Sequence, residues 1–164
     1  MIDSYYIDPE SMEEFVAWRE PWISDQPLNL WDFMFHESSV ALAAAHATLF
    51  WPTFHEIDGC VLLRGRGQQG RTETWMRSLG GDRSRVEAVI NHIHMYSLFR
   101  EGTGANGADA AVKFIGEIMR RTWAAALSEA FPEREFVVDF GTDDDGSDPT
   151  ITFWQVRNDA DALS

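Results

Sequence analysis

An Asp-Gly pair at positions 58–59 separates the run Phe54-His55-Glu56-Ile57 from the run Cys60-Val61-Leu62-Leu63. No other feature restricts the fold of this chain as tightly. Asp-Gly between two apolar runs is a two-residue hairpin turn, because both central positions of that turn need a positive φ. The turn sets the pairing: Ile57 opposes Cys60 and His55 opposes Leu62. Since side chains alternate along a strand, one face then carries His55, Ile57, Cys60 and Leu62, and the other Phe54, Glu56, Val61 and Leu63.

The remaining elements follow from helix and strand signals. Pro9 and a Ser11-x-x-Glu14 capping box predict a first helix, stopped by Pro21, with Met12, Phe15, Val16 and Trp18 facing inward. An irregular segment packed by its aromatics is expected from Pro21 to Trp31. A second helix is predicted from about Asp32 or Ser38 to Phe50, ended by Pro52, with a small-sided stretch from Ala41 to Ala47 against which a large group can pack. Ser84-x-x-Glu87 predicts a cap on a third helix carrying Val86, Val89, Ile90 and Ile93 on one stripe. Asp109 opens the longest helix, to about Ala130, with Val112, Ile115, Met119, Trp123 and Leu127 at helical spacing. Phe136 to Phe140 and Ile151 to Val156 read as a last strand pair around an acidic loop. The expected architecture is α+β: a single domain over residues 1–164, with an antiparallel sheet of about four strands, in two hairpins, packed with four or five helices.

Charge is distributed unevenly. The chain carries 27 acidic and 13 basic residues, a formal net charge of -14. Six of those bases (Arg64, Arg66, Arg71, Arg77, Arg83, Arg85) fall between positions 64 and 85, where only Glu73 and Asp82 oppose them. An acidic body repels nucleic acid and anionic membranes and attracts basic partners. The single cysteine, Cys60, rules out an intrachain disulfide and fits a reducing compartment. The N-terminus lacks the charged and apolar regions of a signal peptide, and no apolar run reaches the roughly 20 residues of a membrane span. A bacterial-type cytoplasmic protein is expected, with no membrane association.

Several constellations approach known chemistry without completing it. Gly65-x-Gly67-x-x-Gly70 follows a strand, as phosphate-gripping glycines do, but that strand is the second arm of a hairpin and no Walker lysine is present. Segment 71–77 fits either a short helix or a third strand. Phosphate contact through Arg64, Arg66 and Arg71 is the consequence if this loop binds anything. His36-Glu37 and His55-Glu56 lack the second histidine of the metalloprotease helix, since Val40 and Gly59 stand there. On a helix His92 and His94 sit about 200° apart, so no metal site and no cofactor is predicted. Cys60 and His55 share a hairpin face at about 7–8 Å, yet the apolar neighbours of Cys60 favour an inert thiol. Asp143-Asp144-Asp145-Gly146-Ser147-Asp148 fails as a calcium loop, because Gly141 and Thr152 occupy the first and twelfth positions. Trp18, Trp22, Trp31 and Trp51 are expected mostly in the core, with the Pro-rich setting of Trp22 leaving room for exposure.

With no complete catalytic motif, a binding protein is favoured over an enzyme. In size, acidity and aromatic content the chain is similar in general character to immunity and inhibitor proteins that neutralise toxins. The expected partner is a basic protein, met by Asp143, Asp144, Asp145 and Asp148 with Trp154 as an aromatic anchor. The alternative is a small enzyme or ligand-binding protein using His36, Glu37, His55 and Glu56 as acid–base groups in a pocket beside the first hairpin. Contact of a phosphate or RNA with the arginine window is a third reading, which the net charge disfavours for a polyanion.

Overall fold

The computed structural model describes residues 6–67, 69–99, 108–142 and 148–157. Within them lie six α-helices and five strands: α1 Glu13–Arg19, α2 Leu30–Glu37, α3 Val40–Phe50, β1 Phe54–Ile57, β2 Cys60–Leu63, α4 Gln69–Ser78, α5 Arg83–Ile90, β3 Ile93–His94, α6 Ala108–Ala130, β4 Phe136–Thr142 and β5 Pro149–Gln155. The fold is α+β. Among the described residues no helix is long and apolar enough to cross a membrane.

The first hairpin forms as its turn dictates. Asp58 and Gly59 take φ of 52° and 77°, and the pairing runs Ile57 with Cys60 and His55 with Leu62. Both faces are covered. Val61 and Leu63 join Met119, Trp123 and Leu127 of α6 and Ile151 and Phe153 of β5 in the main core. Cys60 and Leu62 pack with Val86 and Ile90 of α5 and with Trp75, Met76 and Leu79 from α4 and its C-terminal end. A second antiparallel sheet has the order β3-β5-β4, with Val138 opposite Phe153 and Phe140 opposite Ile151. Helix α6 lies across its inner face. There Gly116 lets the Phe140 ring approach so closely that an added Cβ would stand 2.2 Å from it. At the far side the Trp123 indole N–H donates to the Leu49 carbonyl at 2.8 Å, fastening the end of α3 to α6.

The hairpins therefore do not share one four-stranded sheet; they belong to separate sheets of two and three strands. Side chains of α5 fill the gap between them. Glu87, fully buried, accepts from the Val61 amide on β2 and the Gln155 amide on β5, each at 2.7 Å. Both its oxygens also accept from the Arg157 guanidinium, at 2.7 and 2.9 Å. One helical turn later Asn91 accepts from the Leu63 amide at 3.0 Å and donates to the carbonyls of Val61 and Phe153. The geometry matches because four helical residues rise about 6 Å, close to the roughly 6.7 Å that two strand residues advance. A helix face thus supplies the hydrogen bonds that a neighbouring strand would otherwise make.

Other local expectations change for identifiable reasons. Asp82, not Ser84, caps α5, so Glu87 is released from the predicted capping box to bridge the sheets, while the Ser84 hydroxyl donates to the Gln155 carbonyl. Similarly, Ser11 donates to the Asp8 carbonyl in a short 3₁₀ turn at Pro9–Ser11, and α1 starts without a side-chain cap. The predicted second helix is two helices. Asn29 and Asp32 form a reciprocal capping box on α2, and Ser39 caps α3 after the break at Ser38. Segment 71–77 is helical, within α4. Helix α5 ends before His92, and Ile93–His94 is a short strand on β5 rather than a continuation of the helical stripe.

Truncating Glu87 to Ala removes the counter-ion of Arg157 and leaves two strand amides without acceptors. A loss of about 3–5 kcal/mol is expected in urea denaturation; a change below about 1 kcal/mol would put this pair with ordinary surface ion pairs. Gly116→Ala forces a methyl into the Phe140 ring and should destabilise by about 1–3 kcal/mol, despite the higher helix propensity of alanine.

Candidate functional site

Phe15 is the one fully buried side chain of α1, and α2 and α3 have none. Phe15, Trp18, Trp22, Phe33 and His36 stack along one another with ring centroids 4.5–6.0 Å apart, a small aromatic ladder that holds α1 against α2. The apolar side chains on the other side of this ladder face outward. Ile23 is 102% exposed, Val40 90%, Phe35 82% and Trp31 77%. Helix α3, apolar around most of its circumference, packs inward chiefly through Leu49 and Phe50 at its end, and its alanines at 41, 43, 44 and 45 are exposed. A helix apolar on all sides is normally covered by something.

The same stretch is the most one-sidedly charged part of the described chain. Between residues 6 and 51 it carries eight carboxylates and one arginine, Arg19. That arginine is itself engaged, its fork on the Glu10 carboxylate. The surface thus combines exposed aromatics with uncompensated negative charge, the elements of an anchor and of electrostatic steering. Three of the four tryptophans expected mainly in the core, Trp22, Trp31 and Trp51, stand 45–77% exposed. Sequence periodicity finds amphipathic faces, but it does not reveal whether the chain holds enough partners to cover them.

The other anticipated groups are dispersed. Asp143, Asp144 and Asp145 lie outside the described residues. Asp148 Oδ2 is 3.0 Å from His94 Nδ1. Trp154 is half-buried on β5, opposite Val137. His36 is stacked between Trp18 and Trp22, with Glu37 exposed beside it at the end of α2. Glu56 forms an ion pair with Arg134, while His55 points to the other face of β1, beneath Gly67. Histidine and carboxylate therefore do not converge on the acid–base pair envisaged beside the hairpin. Among the described residues there is no group of three or more His, Cys, Asp or Glu side chains placed to hold a metal ion.

Of the three arginines considered for phosphate, Arg66 and Arg71 meet at an open cavity of about 500 Å³, joined there by His92 and His94; Arg64 is not among its walls. The two imidazoles lie with ring centroids 4.9 Å apart. Their convergence follows from the strand at Ile93–His94, a two-residue element too short to announce itself in the sequence. A second cavity, about 330 Å³, is lined by Arg83, Arg134 and Arg157 with Glu56, Gly59 and Gln155. Its arginines are committed to protein acceptors: Arg157 to Glu87, Arg134 to Glu56, and Arg83 to the Asp58 carbonyl.

Cys60 is fully buried, and desolvation above all, with the Glu87 charge second, pushes its thiol from an ordinary 9.0 up to about 11. A thiol reagent at pH 8 should label it only slowly in the native protein and readily in urea. The folded state holds the proton up to about 11 while the unfolded chain releases it near 9.0, so stability falls as pH rises across that window. Rapid native labelling would contradict the burial. No protein-family model, no curated protein and no solved structure matches this chain.

Proposed function

We propose that this chain is a protein-binding, inhibitor-type protein that docks a basic partner on the surface formed by α1, α2 and α3. One observation carries the reading: the most exposed aromatic and aliphatic side chains coincide with the stretch where eight carboxylates face a single, already paired arginine. Apolar side chains left bare on this scale mark interaction surfaces. The surrounding carboxylates select a partner of opposite sign and accelerate its approach. Trp31 and Phe35 are the anchors, since both are large, aromatic and exposed without a structural role in the chain's own core. This places the contact on the N-terminal helices rather than on Asp148, which is held by His94, or on half-buried Trp154.

The test is affinity capture from the source cell extract at low and moderate salt, followed by titration of whatever protein is retained. The expected partner is basic, and its affinity falls as salt rises. Trp31→Ala or Phe35→Ala should weaken binding by about 2 kcal/mol, roughly thirtyfold, with circular dichroism unchanged because both side chains are exposed. Glu37→Lys should chiefly slow association. A retained protein that binds both aromatic variants as tightly as the parent would overturn the proposal. So would self-association in size-exclusion chromatography that the same substitutions abolish, since a second copy would then occupy this face.

A further inference from the structure

We propose that the cavity between α4, α5 and β3 binds the phosphate group of a small phosphorylated molecule, gripped by Arg66 and Arg71. Two arginines and two histidines from three segments converge there: Arg66 after β2, Arg71 in the first turn of α4, and His92 and His94 around the start of β3. Among the described residues neither arginine has a carboxylate partner. Arg66 donates one N–H to the His92 carbonyl at 2.8 Å, which orients its fork at the cavity, and Arg71 is exposed on the adjoining wall. Asp148 Oδ2 lies 3.0 Å from His94 Nδ1 and holds that ring in position.

Arg66 and Arg71 share with Arg64, Arg77 and Arg85 the lack of a carboxylate partner among the described residues, but of these five only Arg66 and Arg71 line a common cavity. Elsewhere in this acidic chain Arg19, Arg120, Arg134 and Arg157 each find a carboxylate. Two guanidinium groups set side by side without one make a site that an oxyanion satisfies, because planar forks match phosphate oxygens in pairs. Partial desolvation and, second, the Arg71 charge lower the pKa of Arg66. The volume, about 500 Å³, exceeds what a lone phosphate fills and falls in the range of small-molecule sites. Ala88 and Val89 provide an apolar wall for the organic portion. The overall charge of -14 works against a long polyanion, so a small phosphomonoester is favoured over RNA.

Thermal unfolding and isothermal titration with adenosine monophosphate, ribose 5-phosphate and inorganic phosphate, against adenosine and sodium chloride at matched ionic strength, test this. The phosphomonoesters should raise the melting temperature and bind; adenosine and chloride should not. A stronger effect of the esters than of inorganic phosphate would show that the organic wall contributes. Arg71→Gln should weaken binding about tenfold or more, and Arg71→Glu should abolish it, while the exposed Arg77→Gln leaves it unchanged. Both positions are at the surface, so folding is preserved and is checked by circular dichroism. No stabilisation by any of the three phosphates, or equal binding by the parent and Arg71→Gln, overturns the site. Binding of a short RNA with none of the small phosphates overturns the small-molecule assignment.

Discussion

A buried carboxylate holds this fold together. Glu87 is withdrawn from solvent, which is tolerable only because every direction in which it can accept is filled: two strand amides and a bidentate guanidinium. Those contacts reach β2, β5 and the segment after β5, so one side chain on α5 sets the spacing between both sheets. The main core and the smaller core under α4 and α5 lie on opposite faces of the same hairpin. Both therefore depend on that hairpin being held against β5, and backbone pairing between the two does not do it. Asn91 repeats the device one turn along, with amide chemistry in place of charge.

The parts legible in the sequence were those whose cause is local. Asp58-Gly59 demands positive φ at two successive residues and so determines its own register. Helix α6 announces itself through Val112, Met119, Trp123 and Leu127 at core spacing, and β4 and β5 through alternation. What stayed hidden was non-local. Glu87 stands three residues after Ser84, the spacing of a capping box, and only tertiary structure reveals that Asp82 takes the cap and frees the carboxylate. His92 and His94 follow a helical stripe, and their convergence with Arg66 exists only because β5 captures Ile93 and His94 as a strand. The N-terminal aromatics carry core-like periodicity, yet nothing local tells how much of the chain remains to cover them.

The uneven charge of the sequence resolves into two distinct surfaces. Among the described residues the acidic excess is greatest where apolar side chains are bare, on α1 to α3. The arginine window divides in two: Arg83 serves the hairpin turn, whereas Arg66 and Arg71 face a cavity and pair with no carboxylate among the described residues. A negative surface on the N-terminal helices and a small positive recess can coexist because fields between exposed charges decay within about 8–10 Å at physiological salt.

The Glu87–Arg157 pair also has a consequence in time. Its partners are separated by 70 residues, so while the chain is being synthesised Glu87 leaves the ribosome long before the guanidinium that neutralises it. Until Arg157 emerges the carboxylate lacks its counter-ion, so the packing of α5 on β2 through Val86 and Ile90 is opposed by the cost of burying an unpaired charge. The first hairpin and its turn can form early, but the closure that buries them is a late, long-range event. Nascent chains of this protein expose Val61 and Leu63 alongside the bare N-terminal helices until α6 and β5, which cover them, have also emerged. That makes the interval before residue 157 is translated the one in which a chaperone, or a premature encounter with another chain, has most to act on.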